Sequence, residues 1–304
     1  MRRSPLRALR SRLRIGHRLA MLGFNRSMVV RRLVKLGHPK LRELDERIQS
    51  NALLRLALSP AARWLNRGAI LVPGGLGHGL WLSKADLPLS HAHLGSLAFG
   101  NLELSVQEAM LRHVAPCSTF YDVGANLGFF ALLGARLAGP EGRVYAFEPA
   151  PANAAAIRHN IELNRFSNIE VIEKAVSSQT GQGRLQVVDD QSWSKLEEYG
   201  AHPGTEQVLT VPLAAIDDLV RDGLPAPHVV KIDIEGAEIA ALEGMRETIA
   251  RHRPAIICEL HDTHREFVAL MDSLGYRVVN LEGTEPVGEA GASAHALALP
   301  NSPG

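Results

Sequence analysis

The stretch Phe120-Tyr121-Asp122-Val123-Gly124-Ala125-Asn126-Leu127-Gly128-Phe129-Phe130 sets an acid, two glycines and an amide where an apolar strand should give way to an apolar helix. The strand is expected to end at Asp122 and the helix to begin near Leu127. Glycines in that turn let backbone pass close to a ligand, while the N–H groups of the helix face it. A dinucleotide turn would read G-x-G-x-x-G. Here the spacing is D-x-G-x-N-x-G, which speaks against a nicotinamide cofactor and for a ligand without a pyrophosphate. Twenty residues beyond Gly128, the next apolar run closes on Phe147-Glu148-Pro149. A carboxylate there can accept both hydrogen bonds of a ribose diol, and Pro149 stops the strand at the cofactor edge. That acid alone does not separate one ribose-bearing cofactor from another; the two motifs together form the specific signal.

A second constellation is Val229-Val230-Lys231-Ile232-Asp233-Ile234-Glu235-Gly236-Ala237-Glu238. Asp233 ends an apolar strand, where the carboxyl ends of a parallel sheet line a cleft. Acids so placed can accept a proton from a substrate or bind a metal. Glu235 and Glu238 also suit the first turn of a helix, where the dipole favours negative charge. The following strand closes on Cys258-Glu259-Leu260-His261-Asp262. Strand alternation directs Glu259 and His261 to one side, and parallel neighbours in register would bring them toward Asp233. Asp233, His261 and Glu235 are therefore the candidate catalytic residues, with Asp233 or His261 as the base. The alternative has Asp233, Glu235, Glu259 or His261 holding a divalent ion. Spacing does not decide between these readings, and no metal ligand is assigned. Glu238 and Trp193 are the candidate contacts to a substrate.

The elements that must position these residues follow from periodicity. From Thr119 onward, short apolar runs alternate with helical patterns, the mark of an α/β fold with a parallel sheet and crossover helices. Seven strands are expected: 119–123, 143–147, 169–173, 228–232, 255–260, 277–281 and 295–299. Helices are expected over 106–114, 127–137, 153–164, 237–250 and 264–274. In the last, Phe267, Leu270, Met271 and Leu274 fall on one face. The interval 175–227 breaks the rhythm, and runs at 184–188 and 208–213 read as an inserted antiparallel pair around a polar loop. Before this body, apolar residues at helical spacing over 1–58 predict two or three amphipathic helices. The division is a basic helical N-terminal extension and lead-in over 1–95 and a main domain over 96–304, with its insertion at about 180–210.

Composition bounds the setting. The chain has 304 residues, 46% of them hydrophobic and 21% charged, enough for a sizeable core of ordinary globular type. No apolar run reaches 18 residues, so a membrane span is not expected. Cys117 and Cys258, the only cysteines, suggest neither a disulfide framework nor a zinc site, and a cytoplasmic setting is expected. The net charge of +1 hides an asymmetry, since residues 1–35 carry eleven Arg or Lys and no Asp or Glu. Such an arm can reach an anionic membrane surface peripherally; nucleic acid is not an expected partner.

DVGANLGFF, YAFEP, the element Lys174–Ser177, VKIDIEGAE and CELH resemble, in the same order and at similar intervals, the FkbM-type methyltransferases. The resemblance covers about residues 95–285. It implies the Rossmann-like class I methyltransferase fold, a seven-stranded, mostly parallel sheet with helices on both faces. It also implies S-adenosyl-L-methionine as methyl donor and O-methylation of a hydroxyl on a sugar, glycan or natural product. Carried over by position, Asp122, Gly124, Asn126, Gly128 and Glu148 would form the cofactor site, with Ala175 and Val176 by the adenine. Pro116-Cys117-Ser118 stands where the family often has Pro-Gly, a departure confined to a turn. The rival outside enzymology is a cofactor- or glycan-binding scaffold without turnover.

Overall fold

The computed structural model describes residues 69–72, 74–83, 102–188, 194–200, 205–291 and 293–301. The helices expected over 1–58 and the candidate contact Trp193 lie outside the described residues.

The centre is a seven-stranded sheet. In chain order its strands are β3 (Thr119–Val123), β4 (Arg143–Phe147), β5 (Ile169–Ile172), β10 (Val229–Ile232), β11 (Ala255–His261), β12 (Tyr276–Asn280) and β13 (Ser293–Pro300). In space the order is β12-β13-β11-β10-β3-β4-β5. The inner pairs are parallel, while β13 runs antiparallel between β11 and β12. All five residues of β3 are buried, as expected of a strand covered on both faces.

One face carries Phe120, Val144, Ala146, Val229 and Ile257 against α1 (Leu104–His113), α2 (Phe129–Ala138) and α3 (Pro151–Asn164). The other carries Tyr121, Val123, Phe147, Ile232 and Cys258 against α4 (Ile216–Arg221), α5 (Glu238–Glu243), α6 (Arg246–His252) and α7 (His264–Ser273). This is the parallel sheet with crossover helices that the alternation predicts, in the Rossmann-like arrangement that the resemblance implies. From β3 the chain runs outward through β4 and β5, then returns to place β10 on the opposite flank of β3. The strand order reverses there, and the carboxyl ends of β3 and β10 open a crevice.

Three features depart from the sequence expectation. The helix expected over 237–250 is two helices, α5 and α6, parted at Gly244. A Cβ on Gly244 would lie 2.0 Å from the carbonyl oxygen of Ser177, so the passing chain leaves room only for glycine. Asp217 then caps α6, accepting from the amides of Glu247 at 2.9 Å and Thr248 at 2.7 Å.

The second departure is at the lead-in. The hairpin β1 (Ile70–Leu71) and β2 (Trp81–Leu82) packs Val72, Leu80 and Leu82 into the same core as Phe120 and Leu132. Asn160 and Asn164 of α3 pair with the backbone of Ser83 and Trp81 at 2.6–3.0 Å, as a strand edge would. Arg136 donates to the carbonyls of Leu76 and His78. These residues belong structurally to the body, although the sequence division assigns them to the extension.

Third, the insertion is more than a hairpin. The expected antiparallel pair is present as β7 (Gly181–Val188) and β9 (Thr205–Ala214), but β6 (Ala175–Val176) and β8 (Lys195–Leu196) join it. The four make a second sheet in the order β6-β9-β7-β8, with its own small core of Leu185, Leu196, Val211 and Leu213.

Candidate active site

The crevice at the switch point encloses about 650 Å³, its open mouth included, between Gly124, Asn126, Glu148, Ala175, Asp233 and Glu235. Its shape begins at Gly124. With φ at 81°, Gly124 lies so close to the end of β10 that a Cβ would stand 1.9 Å from the carbonyl oxygen of Asp233. Both the left-handed backbone and the contact require glycine. The amides of Gly124 and Ala125 donate to the carbonyl of Phe147 at 3.0 Å, which sews the turn after β3 to the end of β4.

That stitch fixes Glu148. One carboxylate oxygen accepts from the amide of Asn126 at 2.8 Å, the other from the amide of Ala150 at 3.0 Å. Glu148 is only 4% exposed, and burial pushes its carboxyl up to about 7 against the pull of those bonds. Asn126 itself sits at φ 50°, and its side-chain oxygen is buried with no hydrogen-bond partner. Gly128, at φ 82°, leads into α2 against Ile157 and does not line the crevice. Beside Glu148, Phe147, Ala175, Val176, Leu185 and Leu196 form an apolar slot. Leu185 and Leu196 come from the insertion, contacts that no local sequence pattern could assign.

Asp122, like Gly128, stands apart from the crevice. It is fully buried and absent from the crevice wall. The register pairs it with Lys231 across β3 and β10, which puts both side chains on one face. Burial raises its carboxyl to about 6 while Lys231 draws it down. Asp122 therefore lies beneath the floor of the crevice and does not line it.

At the ends of β10 and β11 the candidate catalytic residues do meet. Lys231 Nζ is 2.9 Å from Asp233 Oδ2 and 4.6 Å from the Phe130 ring centroid. Burial alone would lower that ammonium; Asp233, Glu103 and Asp122 outweigh it and hold Lys231 well above its usual range. Burial raises the Asp233 carboxyl, with Lys231 opposing. Glu235 lies on the crevice wall at φ 52°, an uncommon conformation for a side chain of its size. Burial lifts its carboxyl to about 7, with His261 opposing.

His261 Nδ1 is 2.8 Å from Glu238 Oε1, and its Nε2 is 3.6 Å from both Glu235 Oε2 and Glu259 Oε1. Burial would lower the imidazole, but the bond to Glu238 and the charges of Glu235, Glu238 and Asp233 raise it to about 9. These carboxylates favour the protonated imidazole, which weighs against His261 as the base.

Glu238 also needs correction as an acceptor contact. It is wholly buried and occupied by the Gly236 amide at 2.7 Å, His261 at 2.8 Å and the Thr263 hydroxyl at 3.1 Å. Its role is to position His261. Lys195, to which the sequence pattern gives no site role, brings Nζ to 3.5 Å from where a Cβ on Gly236 would lie. Only the folding of the insertion over the crevice reveals this.

The site's protonation has a consequence for stability. Folding raises Asp122 to about 6, Glu148 and Glu235 to about 7, and His261 to about 9. His295 rises to about 11, since Glu103 and Glu259 outweigh a burial that would lower it. Every one of these groups binds its proton more tightly when folded. Their contribution is full below the unfolded values and is lost as pH rises through the folded ones. The melting temperature should therefore fall from about pH 5 to about pH 9; a melting curve series in which it climbs across that window refutes the assignment.

The sequence profile described as "Methyltransferase FkbM domain" matches residues 122–278, from Asp122 into β12. The chain belongs to the FkbM methyltransferase family. Among the relatives of this FkbM-family protein is the 31-O-demethyl-FK506 methyltransferase FkbM of Streptomyces tacrolimicus. It is 28% identical over 225 residues, 63% of this chain and 86% of that protein. The hexuronic acid methyltransferase AglP of Haloferax volcanii is 27% identical over 161 residues, 52% of this chain and 62% of that protein. A solved structure of methyltransferase FkbM from Methylobacillus flagellatus KT superposes with a TM-score of 0.41 at 18% identity. The match covers 70% of this chain and 56% of that one. Among the described residues no helix is long and apolar enough to cross a membrane.

Proposed function

We propose that this FkbM-family protein is an S-adenosylmethionine-dependent O-methyltransferase acting on a hydroxyl of a sugar, glycan or natural product. The observation that carries the reading is one crevice with two carboxyl groups of different assignment. Glu148 is clamped by backbone amides beside an apolar slot, and Glu235 stands on the β10 wall with its carboxyl near 7. The residues suit the donor. Glu148 keeps lone pairs for a ribose diol, the slot of Phe147, Ala175, Val176 and Leu185 suits an adenine, and the buried Asn126 oxygen lacks a partner that a ligand N–H or O–H can provide.

When bound, adenosylmethionine supplies a methyl group on a positively charged sulfur. The protein's share is alignment, exclusion of water and removal of one proton. Glu235 would take the proton of the acceptor hydroxyl from its place on the crevice wall. Asp233 and the His261 imidazolium hold the field around it. Two relatives, named for a demethylated natural product and for a hexuronic acid, support an oxygen acceptor of that class.

Titration with adenosylmethionine and with NAD, followed by a labelled-methyl assay against polysaccharide, lipid and small-molecule fractions, tests the reading. Tight binding of the first, negligible binding of the second and label in a hydroxyl-bearing fraction are expected. Binding without turnover on any fraction would favour a scaffold.

A second reading rests on one observation: ligand atoms of Asp233, Glu259 and His261 lie within 4.8 Å of one another. A divalent ion there would activate the acceptor oxygen directly. Activity that is lost to a chelator and restored by the ion supports it, and full activity after metal removal rejects it.

The basic arm is assigned a peripheral role at anionic membranes, on the strength of its eleven cationic residues and no acids over 1–35. The full chain should sediment with vesicles containing phosphatidylserine and release at high salt. A form lacking residues 1 to about 50 should stay in solution. Equal sedimentation of both forms removes this role.

A further inference from the structure

We propose that His295, Glu103 and Glu259 form a binding site for a divalent transition metal, outside the crevice, that fastens the start of α1 to the sheet. Three chain segments converge on His295 of β13. Glu103 comes from the residue before α1, Glu259 from β11, and Glu282 from the loop after β12. His295 Nε2 is 3.4 Å from Glu103 Oε2 and 3.4 Å from Glu259 Oε2. These contacts are longer than a good N–H···O bond. His295 is 7% exposed, and both its Nε2 and Glu103 Oε2 are buried without a hydrogen-bond partner.

Ligands about 2.0–2.1 Å from a zinc-like ion at tetrahedral angles are separated by roughly 3.4 Å. The two spacings match the edges of that tetrahedron. The other ring nitrogen fits as well, for Nδ1 is 2.7 Å from Glu282 Oε1. A histidine that binds metal commonly gives its second N–H to a carboxylate, which fixes the ring and its tautomer.

Charge points the same way. Glu103, Glu259 and Glu282 surround a single imidazole, and the groups that hold a proton there would hold a cation in its place. One imidazole with two carboxylates suits zinc or manganese better than magnesium or calcium, which prefer oxygen alone. Glu103 is kept at φ 43°, a left-handed backbone held against its ordinary preference. A metal bond shared with β11 and β13 would add to the His295 contact that holds Glu103 there.

The site does not depend on the reading of the crevice. Glu259 turns Oε2 toward His295 and Oε1 toward His261, so variants of the two histidines separate the locations.

The full chain, stripped with a chelator, is dialysed against Zn²⁺ at neutral pH, and bound zinc and melting temperature are measured. The unaltered protein should take up an equivalent that raises its melting temperature. His295→Gln and Glu103→Gln should lose both effects, and His261→Gln should keep them. Glu282→Gln, which spares the ligands, should weaken zinc affinity roughly 10- to 100-fold and serves if the histidine variant does not fold. Equal zinc uptake by His295→Gln and the unaltered protein overturns the proposal. So does a chain that binds none, which would leave a protonated ion pair, and so does loss confined to His261→Gln.

Discussion

Replacing Glu235 with Gln is expected to lower kcat by roughly 10²- to 10⁴-fold, the usual cost of a missing general base, while leaving adenosylmethionine affinity close to unchanged. Glu235 faces the crevice on the β10 side, whereas Glu148 and the apolar slot lie on the β4 and β6 side. Loss of Glu235 should therefore act on the chemical step. Its carboxyl, near 7, also sets a pH signature. The base works as the carboxylate, so kcat/KM should rise through about pH 7. His261 draws that carboxyl down, so His261→Ala should move the rising limb to higher pH. A merely structural histidine would lower activity without moving it.

Asp233 is the harder residue to test. Asp233→Asn should also slow turnover, but it removes the partner of Lys231, an ammonium whose side chain is 3% exposed. Breaking a buried pair from one side can cost about 3–5 kcal/mol in stability. Turnover loss in that variant has to be read beside its melting temperature. Full turnover by Glu235→Gln places the base at Asp233 or in the insertion.

The second large effect is expected at Glu148. Glu148→Ala should weaken adenosylmethionine binding by about 1.5–3 kcal/mol, the range for hydrogen bonds to a charged group, or roughly 10- to 150-fold in Kd. Calorimetry is the measurement, with Glu148→Gln as the conservative control. Because the carboxyl sits near 7 before a ligand arrives, affinity should also weaken as pH drops below that value, where the acceptor oxygens become protonated. In Glu148→Gln this pH dependence should vanish. An alanine variant of unchanged affinity would remove Glu148 from the ribose site and leave it as a clamp for the turn at Asn126.

Much of the framework is a matter of sequence alone. The strands β3 and β4 begin and end where their apolar runs do, at Thr119–Val123 and Arg143–Phe147. A strand buried on both faces leaves its pattern in consecutive residues. The turn from Asp122 to Gly128 and the acid at Glu148 are legible for a related reason. A strand-to-helix turn that admits a ligand restricts residue types locally, and Gly124 and Gly128 both adopt positive φ. Alternation likewise brought Glu259 and His261 to one side of β11, close enough to share a 3.6 Å contact.

What only the tertiary structure decided concerns charge and approach between distant segments. Glu238 and Glu235 differ by three positions and by nothing in type, yet one is sealed against His261 and the other lines the crevice. Asp122 reads like the acid of a cofactor site and lies beneath its floor beside Lys231. His261 reads as a base, yet carboxylates from α5 and the β10 turn raise its imidazole to about 9. Gly244 parts a helix because the carbonyl of Ser177 passes over it. In each case the deciding quantity is burial or a distance of a few ångströms between residues far apart in the chain, and the electrostatic cost of burying a charge depends on partners that no local pattern names.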